Sequence, residues 1–147
     1  MKLKLLSCFF FILVLLAGCD SEKEFTLNDI QKVKLELIEK ETLKEGISYS
    51  IKLINDSDYV IKQNNVFVSF MIKEGENAYK GNEYKVEAKG NKLDIQPGEK
   101  VTLFMPFEGM GDQSLLGIDN PIIQLKGFME VIDDKHQFTT GGALIKD

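Results

Sequence analysis

Arginine and tryptophan do not occur in this 147-residue chain, histidine occurs once, and cysteine occurs twice. Each scarcity removes some chemistry. Without arginine there is no planar fork to read phosphate or guanine bidentately. The 18 basic residues are outweighed by 23 carboxylates, for a net charge of −5. That balance leaves no basic surface of the kind nucleic acid requires, so nucleic acid is excluded as a partner. Both cysteines, Cys8 and Cys19, lie near the N-terminus. Beyond them no thiol remains for nucleophilic catalysis, for zinc or iron–sulfur ligation, or for a disulfide. His136, the single imidazole, follows Asp133-Asp134-Lys135 and reads as part of a solvated hairpin turn. No G-x-S-x-G elbow exists to expose Ser48 or Ser114 as a nucleophile for it. Long apolar runs are missing too. The longest, Leu5 to Ala17, is broken by Ser7 and Cys8 and falls short of the roughly 20 residues a membrane-spanning helix needs.

That short run has a context. Lys2 and Lys4 precede it, Leu16-Ala17-Gly18-Cys19 closes it, and Asp20, Glu22, Lys23 and Glu24 follow at once. A positive n-region, an apolar h-region and a small-residue exit are the parts of an export signal. The Leu-Ala-Gly-Cys ending resembles the lipobox of bacterial lipoproteins. The resemblance implies cleavage before Cys19, a thioether-linked diacylglycerol on that residue, and membrane attachment on the extracytoplasmic face. Two acyl chains hold a protein stably where one does not. Asp20 would read as inner-membrane retention in bacteria with an outer membrane, but the Lys, Ile and Asn bias favours a Gram-positive-type source, where that rule has no meaning. On this reading residues 1–18 are a cleaved signal peptide, 19–24 a lipidated tether, and 25–147 one domain. Cleavage takes two lysines with it, so the charge falls to −7. An acidic domain held near anionic head groups is repelled by them.

From residue 33 onward apolar residues recur with period two, the signature of half-buried strands. Val33, Leu35 and Leu37 alternate with charged residues; Ile47, Tyr49, Ile51 and Leu53 alternate with Ser48, Ser50 and Lys52; Val101, Leu103 and Met105 enclose Thr102 and Phe104. Val66 to Ile72 is denser and reads as a more buried strand. Tyr84 with Val86, and Leu93 with Ile95, mark short ones. Ile123, Leu125, Phe128 and Val131 fill a late strand, and Phe138 to Ile145 a final one. Asp29 to Lys44 has some helical spacing, but its strict alternation favours a strand. Gly127, Gly141 and Gly142 inside strand patterns suggest bulges or close backbone approach. Short strands separated by turn residues predict an all-β antiparallel sandwich of about seven to nine strands. Its core is expected to hold Val33, Leu35, Tyr49, Ile51, Leu53, Val68, Phe70, Val101, Leu103, Leu125 and Phe128.

Two turns carry a further likeness. Leu53-Ile54-Asn55-Asp56-Ser57 leads into Val66 to Phe70, and Gln96-Pro97-Gly98-Glu99 leads into the strand from Val101. The succession, over about residues 47–107, resembles the immunoglobulin-like domains of Gram-positive cell-envelope lipoproteins. It implies an immunoglobulin-like sandwich and no assigned activity. The small bacterial inhibitor of intracellular proteinases is a fainter likeness of the same architecture, although an exported chain would not meet an intracellular target.

The chemistry-bearing residues support no catalytic constellation, and no cofactor is expected. Calcium could use Asp56-Ser57-Asp58, or Asp112 with Asp119 and Asn120, but neither loop matches the twelve-residue EF-hand pattern ending in Glu. Copper(I) could use Met71, Met105, Met110, Met129 and His136, though methionine on a strand usually packs. Carboxylates are plentiful enough for a glycosidase, yet nearly all fall in turns or on polar faces. The residues 107–121 stand apart. A connection of this length is uncommon in a compact domain and is frequently functional. It holds Phe107, Met110, Leu115, Leu116 and Ile118 among three glycines. These side chains either plug the end of the sandwich, with a helical turn at Gln113 to Leu116, or form a partner-binding loop. A binding module for a protein, an envelope polymer or a small ligand is the expected function. A metal-handling lipoprotein, a carboxylate-dependent enzyme and a proteinase-inhibitor-like domain are the alternatives.

Overall fold

The computed structural model describes residues 24–43, 46–76, 78–108, 113–118 and 121–144. The Leu16-Ala17-Gly18-Cys19 motif, Met110, Asp112, Asp119 and Asn120 lie outside the described residues. The described chain is all-β. After one helical turn, α1 (Leu27–Gln31), come β1 (Val33–Leu43), β2 (Gly46–Asn55), β3 (Ile61–Ser69), β4 (Ile72–Lys73), β5 (Tyr79–Lys80), β6 (Val86–Glu87), β7 (Lys100–Glu108), β8 (Ile122–Met129) and β9 (Gln137–Ala143). All pairings are antiparallel, in sheets ordered β1-β2-β7, β6-β3-β8-β9 and β4-β5.

Alternation decides which residues meet. Val33, Ile47, Tyr49, Ile51, Leu53, Val101, Leu103, Met105 and Phe107 come from one sheet, and Ile61, Val66, Val68, Ile123, Leu125, Met129 and Phe138 from the other. They form one cluster because side chains two apart on a strand share a face. β3 changes parity at a register shift between Ile61 and Gln63, so Asn64, Val66 and Val68 are inward beyond it. Pro106 sits in β7, an edge strand, where its missing N–H leaves no ladder bond unmade.

Several expectations are corrected. Phe128 is not in the core. In β8 the inward residues are Ile123, Leu125, Gly127 and Met129, and Phe128 has the opposite parity. Gly127 holds the inward place because a Cβ there would lie 2.7 Å from the Gln63 carbonyl oxygen and 2.9 Å from the Phe138 ring. The expected close approach is therefore real at Gly127, and also at Gly141, whereas Gly142 faces open space. Leu35 is half-buried against the core rather than within it. Val131 lies beyond β8 and is exposed, as are Tyr84 and Leu93, which belong to no strand. Ile72 is split from β3 and opens the small β4–β5 hairpin. The segment from Asp29 is helical to Gln31 before β1 begins at Val33.

The two ends of the sandwich differ. At one, the described chain starts at Glu24 beside the Asn55–Tyr59 turn and the β8–β9 connection. The Tyr59 hydroxyl donates to the Glu24 carbonyl at 3.2 Å, and the rings of Phe25 and His136 lie 6.1 Å apart. The Gln96–Glu99 turn reaches the same end. It has the 3.0 Å Glu99 N–H to Gln96 O bond and the φ of +78° at Gly98 that a type II Pro-Gly turn requires. At the opposite end lie the β3–β4 and β7–β8 connections.

Candidate functional site

The β7–β8 connection closes the far end of the core, and its residues separate by role. Phe107, expected in the binding loop, is instead a core residue of β7 with 2 % exposure. The residue alternates inward with Met105 and Leu103, so its ring faces Phe70 at 4.7 Å and Tyr49 at 5.8 Å. Gln113–Leu115 form a 3-10 turn, as expected. Leu116 then makes a β-bridge with Ile72, and the Gly117 N–H donates to the Met71 carbonyl at 2.8 Å. The Ile118 carbonyl accepts from the Tyr49 hydroxyl at 3.0 Å and from the Lys40 ammonium at 3.4 Å. Leu116 and Ile118 are half-buried against the core, whereas Leu115 is 55 % exposed. The segment is thus strapped over the end of the sandwich, and only Leu115 of its described apolar residues points mostly to solvent.

The strap leaves a cavity of about 220 Å³ beside it, lined by Phe70, Asn82, Tyr84, Phe107 and Leu116. Its floor is the edge-to-face pair Phe70–Phe107. Its rim is the segment between β5 and β6, where the Tyr84 N–H donates to Asn82 Oδ1 at 3.0 Å and Tyr84 is largely exposed. The volume is below the roughly 300–1,000 Å³ typical of small-molecule sites. It suits one large apolar or aromatic side chain, with the Asn82 amide and Tyr84 hydroxyl as polar edges. Phe107 and Leu116 were visible in sequence as part of an unusually apolar connection. Asn82 and Tyr84 carried no signal, because they approach only through the fold. A larger, open depression of about 500 Å³ lies on the outer face of the four-stranded sheet, between Phe67, Lys85 and Ile122 and over Gly141.

The other candidates are dispersed. His136 does meet Asp133, with Nδ1 2.7 Å from Oδ1, and this contact holds the Asp133 carboxyl below its ordinary range. The same oxygen accepts from the Lys135 and His136 backbone N–H groups, so the pair closes a turn. Ser48 and Ser114 lie toward the opposite end of the molecule from this imidazole, so no triad forms. Met105 and Met129 are buried in the core. Asp56 and Asp58 are paired with Lys34 and Lys32. Among the described residues no group of three or more His, Cys, Asp or Glu side chains is placed to hold a metal ion. No described helix is long and apolar enough to cross a membrane. Compared with known proteins, the chain matches no family model and no curated sequence.

Proposed function

We propose that this protein is an extracytoplasmic lipoprotein whose β-sandwich is held to the membrane through Cys19 and binds a partner at the opposite end. The observation that carries the reading is the placement of the aromatic cavity. It lies at the far end from Glu24, and a tether of five residues joins Cys19 to Glu24 at a reach of at most about 18 Å. A site pointing away from the attachment point is accessible to proteins or polymers of the envelope. Tyr84 is the exposed ring of this site, with Phe70 and Phe107 almost wholly buried beneath it, and a rigid exposed aromatic beside half-buried Leu116 favours a protein side chain as the ligand. The strand orders also support the immunoglobulin-like reading. That architecture sets its first, second and fifth strands against its third, sixth and seventh, and β1-β2-β7 opposes β3-β8-β9 once the two-residue strands are set aside.

The test has two arms. Fatty-acid labelling of cells should mark the protein and spare Cys19→Ala; equal label on both would remove the anchor. A photo-crosslinking residue at Leu115, exposed on the strap next to the cavity-lining Leu116, should trap an envelope component in intact cells, and Tyr84→Asp should abolish the product. Trapping no greater than from the same residue placed at Lys135 would count against the binding site.

A further inference from the structure

The end of the sandwich nearest Glu24 carries an apolar group that the fold does not use. The β8–β9 connection, Glu130 to His136, would ordinarily be polar, yet Val131 and Ile132 occupy it with 44 % and 58 % exposure. Leu27, at the start of α1 and three residues after Glu24, is 78 % exposed. Glu130 sets the course of this hairpin. It adopts a φ of +59°, a left-handed conformation that costs a side-chain-bearing residue energy. Two bonds to one residue hold it there: its N–H donates to the Val60 carbonyl at 2.8 Å, and its Oε1 accepts from the Val60 N–H at 2.7 Å. Strain fixed in place to present two adjacent branched apolar residues calls for an occupant.

The charges around them are partly paired. Lys32 bridges Asp29 at 3.3 Å and Asp58 at 3.5 Å, Lys34 pairs with Asp56, Lys62 with Asp94, Lys92 with Glu99, and His136 contacts Asp133. All of these lie toward the Glu24 end, whereas Lys80–Glu74 lies on the distal hairpin. Glu130 is engaged with Val60, and Asp134 stands beside Lys135. Five lysines stand against eight carboxylates among these groups, so the ion pairs offset part of the acidity and this end stays net negative. An electrically neutral lipid surface accepts that charge, whereas an anionic one opposes it, and charges farther away are screened within about 8–10 Å.

We infer that this end of the domain rests on the lipid surface, with Val131, Ile132 and Leu27 entering the interface between head groups and acyl chains. The inference rests on the anchor at Cys19. A tether that spans at most about 18 Å keeps the Glu24 end at the bilayer, so these residues meet lipid before anything else. Lipid anchoring alone would leave the domain free to tumble. The apolar contact would hold it upright and present the aromatic cavity outward.

The absence of tryptophan makes the test direct. Full-length protein purified with its lipid is carried as Ile132→Trp, Leu27→Trp or Tyr84→Trp into phosphatidylcholine vesicles with brominated acyl chains. Flotation reports the anchor, and quenching of the introduced indole reports the contact. Vesicle-bound Ile132→Trp and Leu27→Trp should each be quenched roughly twofold or more, as for a group lying in the interface, while Tyr84→Trp is unaffected. An Ile132→Trp protein that floats without quenching would overturn the docking and leave the anchor standing. Protein that fails to float would remove the anchor, and the docking with it. Emission from Ile132→Trp already blue-shifted in detergent-free solution, with a dimeric mass, would put a second copy on these residues and also overturn the inference.

Discussion

At the scale of single residues, Asn55 joins the two turns that the sequence made conspicuous. It ends β2, is fully buried, and uses every hydrogen-bonding group it has. Its Nδ2 donates to the Tyr59 and Ile95 carbonyls at 2.8 and 3.0 Å, and its Oδ1 accepts from Ser57 N–H and Oγ–H at 3.2 and 2.6 Å. Its backbone meets Glu99 and Gly98 across the Pro97-Gly98 turn. Asn55→Ala would leave the buried Ser57 N–H without its acceptor and take one of two donors from each carbonyl, since Ile95 O keeps the Ile61 N–H and Tyr59 O keeps the Ser57 hydroxyl, and the expected loss is about 2 kcal/mol. Asn55→Asp, of the same shape, would aim an oxygen at those two carbonyls and should not rescue stability at neutral pH. Denaturant midpoints of the three proteins check this, and a fully stable Asn55→Asp would show that the donor role of Nδ2 is dispensable. In the core, Leu53 is fully buried and Leu53→Ala should cost about 2–5 kcal/mol by the same measurement.

At the scale of elements, the strap over the open end makes a sharper prediction, because neighbouring leucines there have different surroundings. Leu116 bridges Ile72 and walls the cavity, while Leu115 projects outward. Leu116→Asp should therefore lower the melting temperature by several degrees, and Leu115→Asp should leave it within about a degree or two, as for an ordinary surface change. Equal losses would mean that both residues are held in the cap. The contrast also marks how far sequence reading reaches. The long strands β1, β2 and β7 were legible because alternation repeats over many residues, as in Ile47, Tyr49, Ile51 and Leu53. β8 misled at one position because Gly127 fills an inward place without an apolar side chain, so the neighbouring Phe128 took its weight. β3 hid a register shift that alternation alone does not reveal. The two-residue strands β4, β5 and β6 were only partly visible, since Ile72, Tyr84 and Leu93 are apolar without belonging to the strands their spacing suggested. Half of the cavity was legible as an apolar connection; its rim, Asn82 and Tyr84, depends on long-range contact and left no local trace.

At the scale of the whole molecule, ion pairs gathered toward one end make stability depend on pH in a definite way. Asp29 is held below its ordinary range chiefly by the Thr26 N–H, Glu99 by Lys92, and Asp133 by the His136 side chain. Lys32 is raised chiefly by its bond to Asp29, and Lys62 by its bond to Asp94. A carboxyl with a lowered folded-state pKa contributes stability that is present above its unfolded value, about 4. The contribution is lost as pH falls through the folded value. A lysine with a raised pKa contributes stability that is present below its unfolded value, about 10.4, and lost as pH rises through the folded one. These groups together predict a plateau from about pH 5 to 10 with a decline on either side. All five are solvent-accessible, so each contribution is small and salt-sensitive. The decisive comparison is between the protein and Asp133→Asn. At pH 7 the variant lacks a contact that favours the charged carboxylate, so it should melt at a lower temperature. As pH falls through the lowered folded-state value of that carboxyl, the gap should narrow and then close. A gap that persists unchanged into acid would show that Asp133 holds the β8–β9 turn through its shape, by the backbone bonds of Lys135 and His136, rather than through its charge.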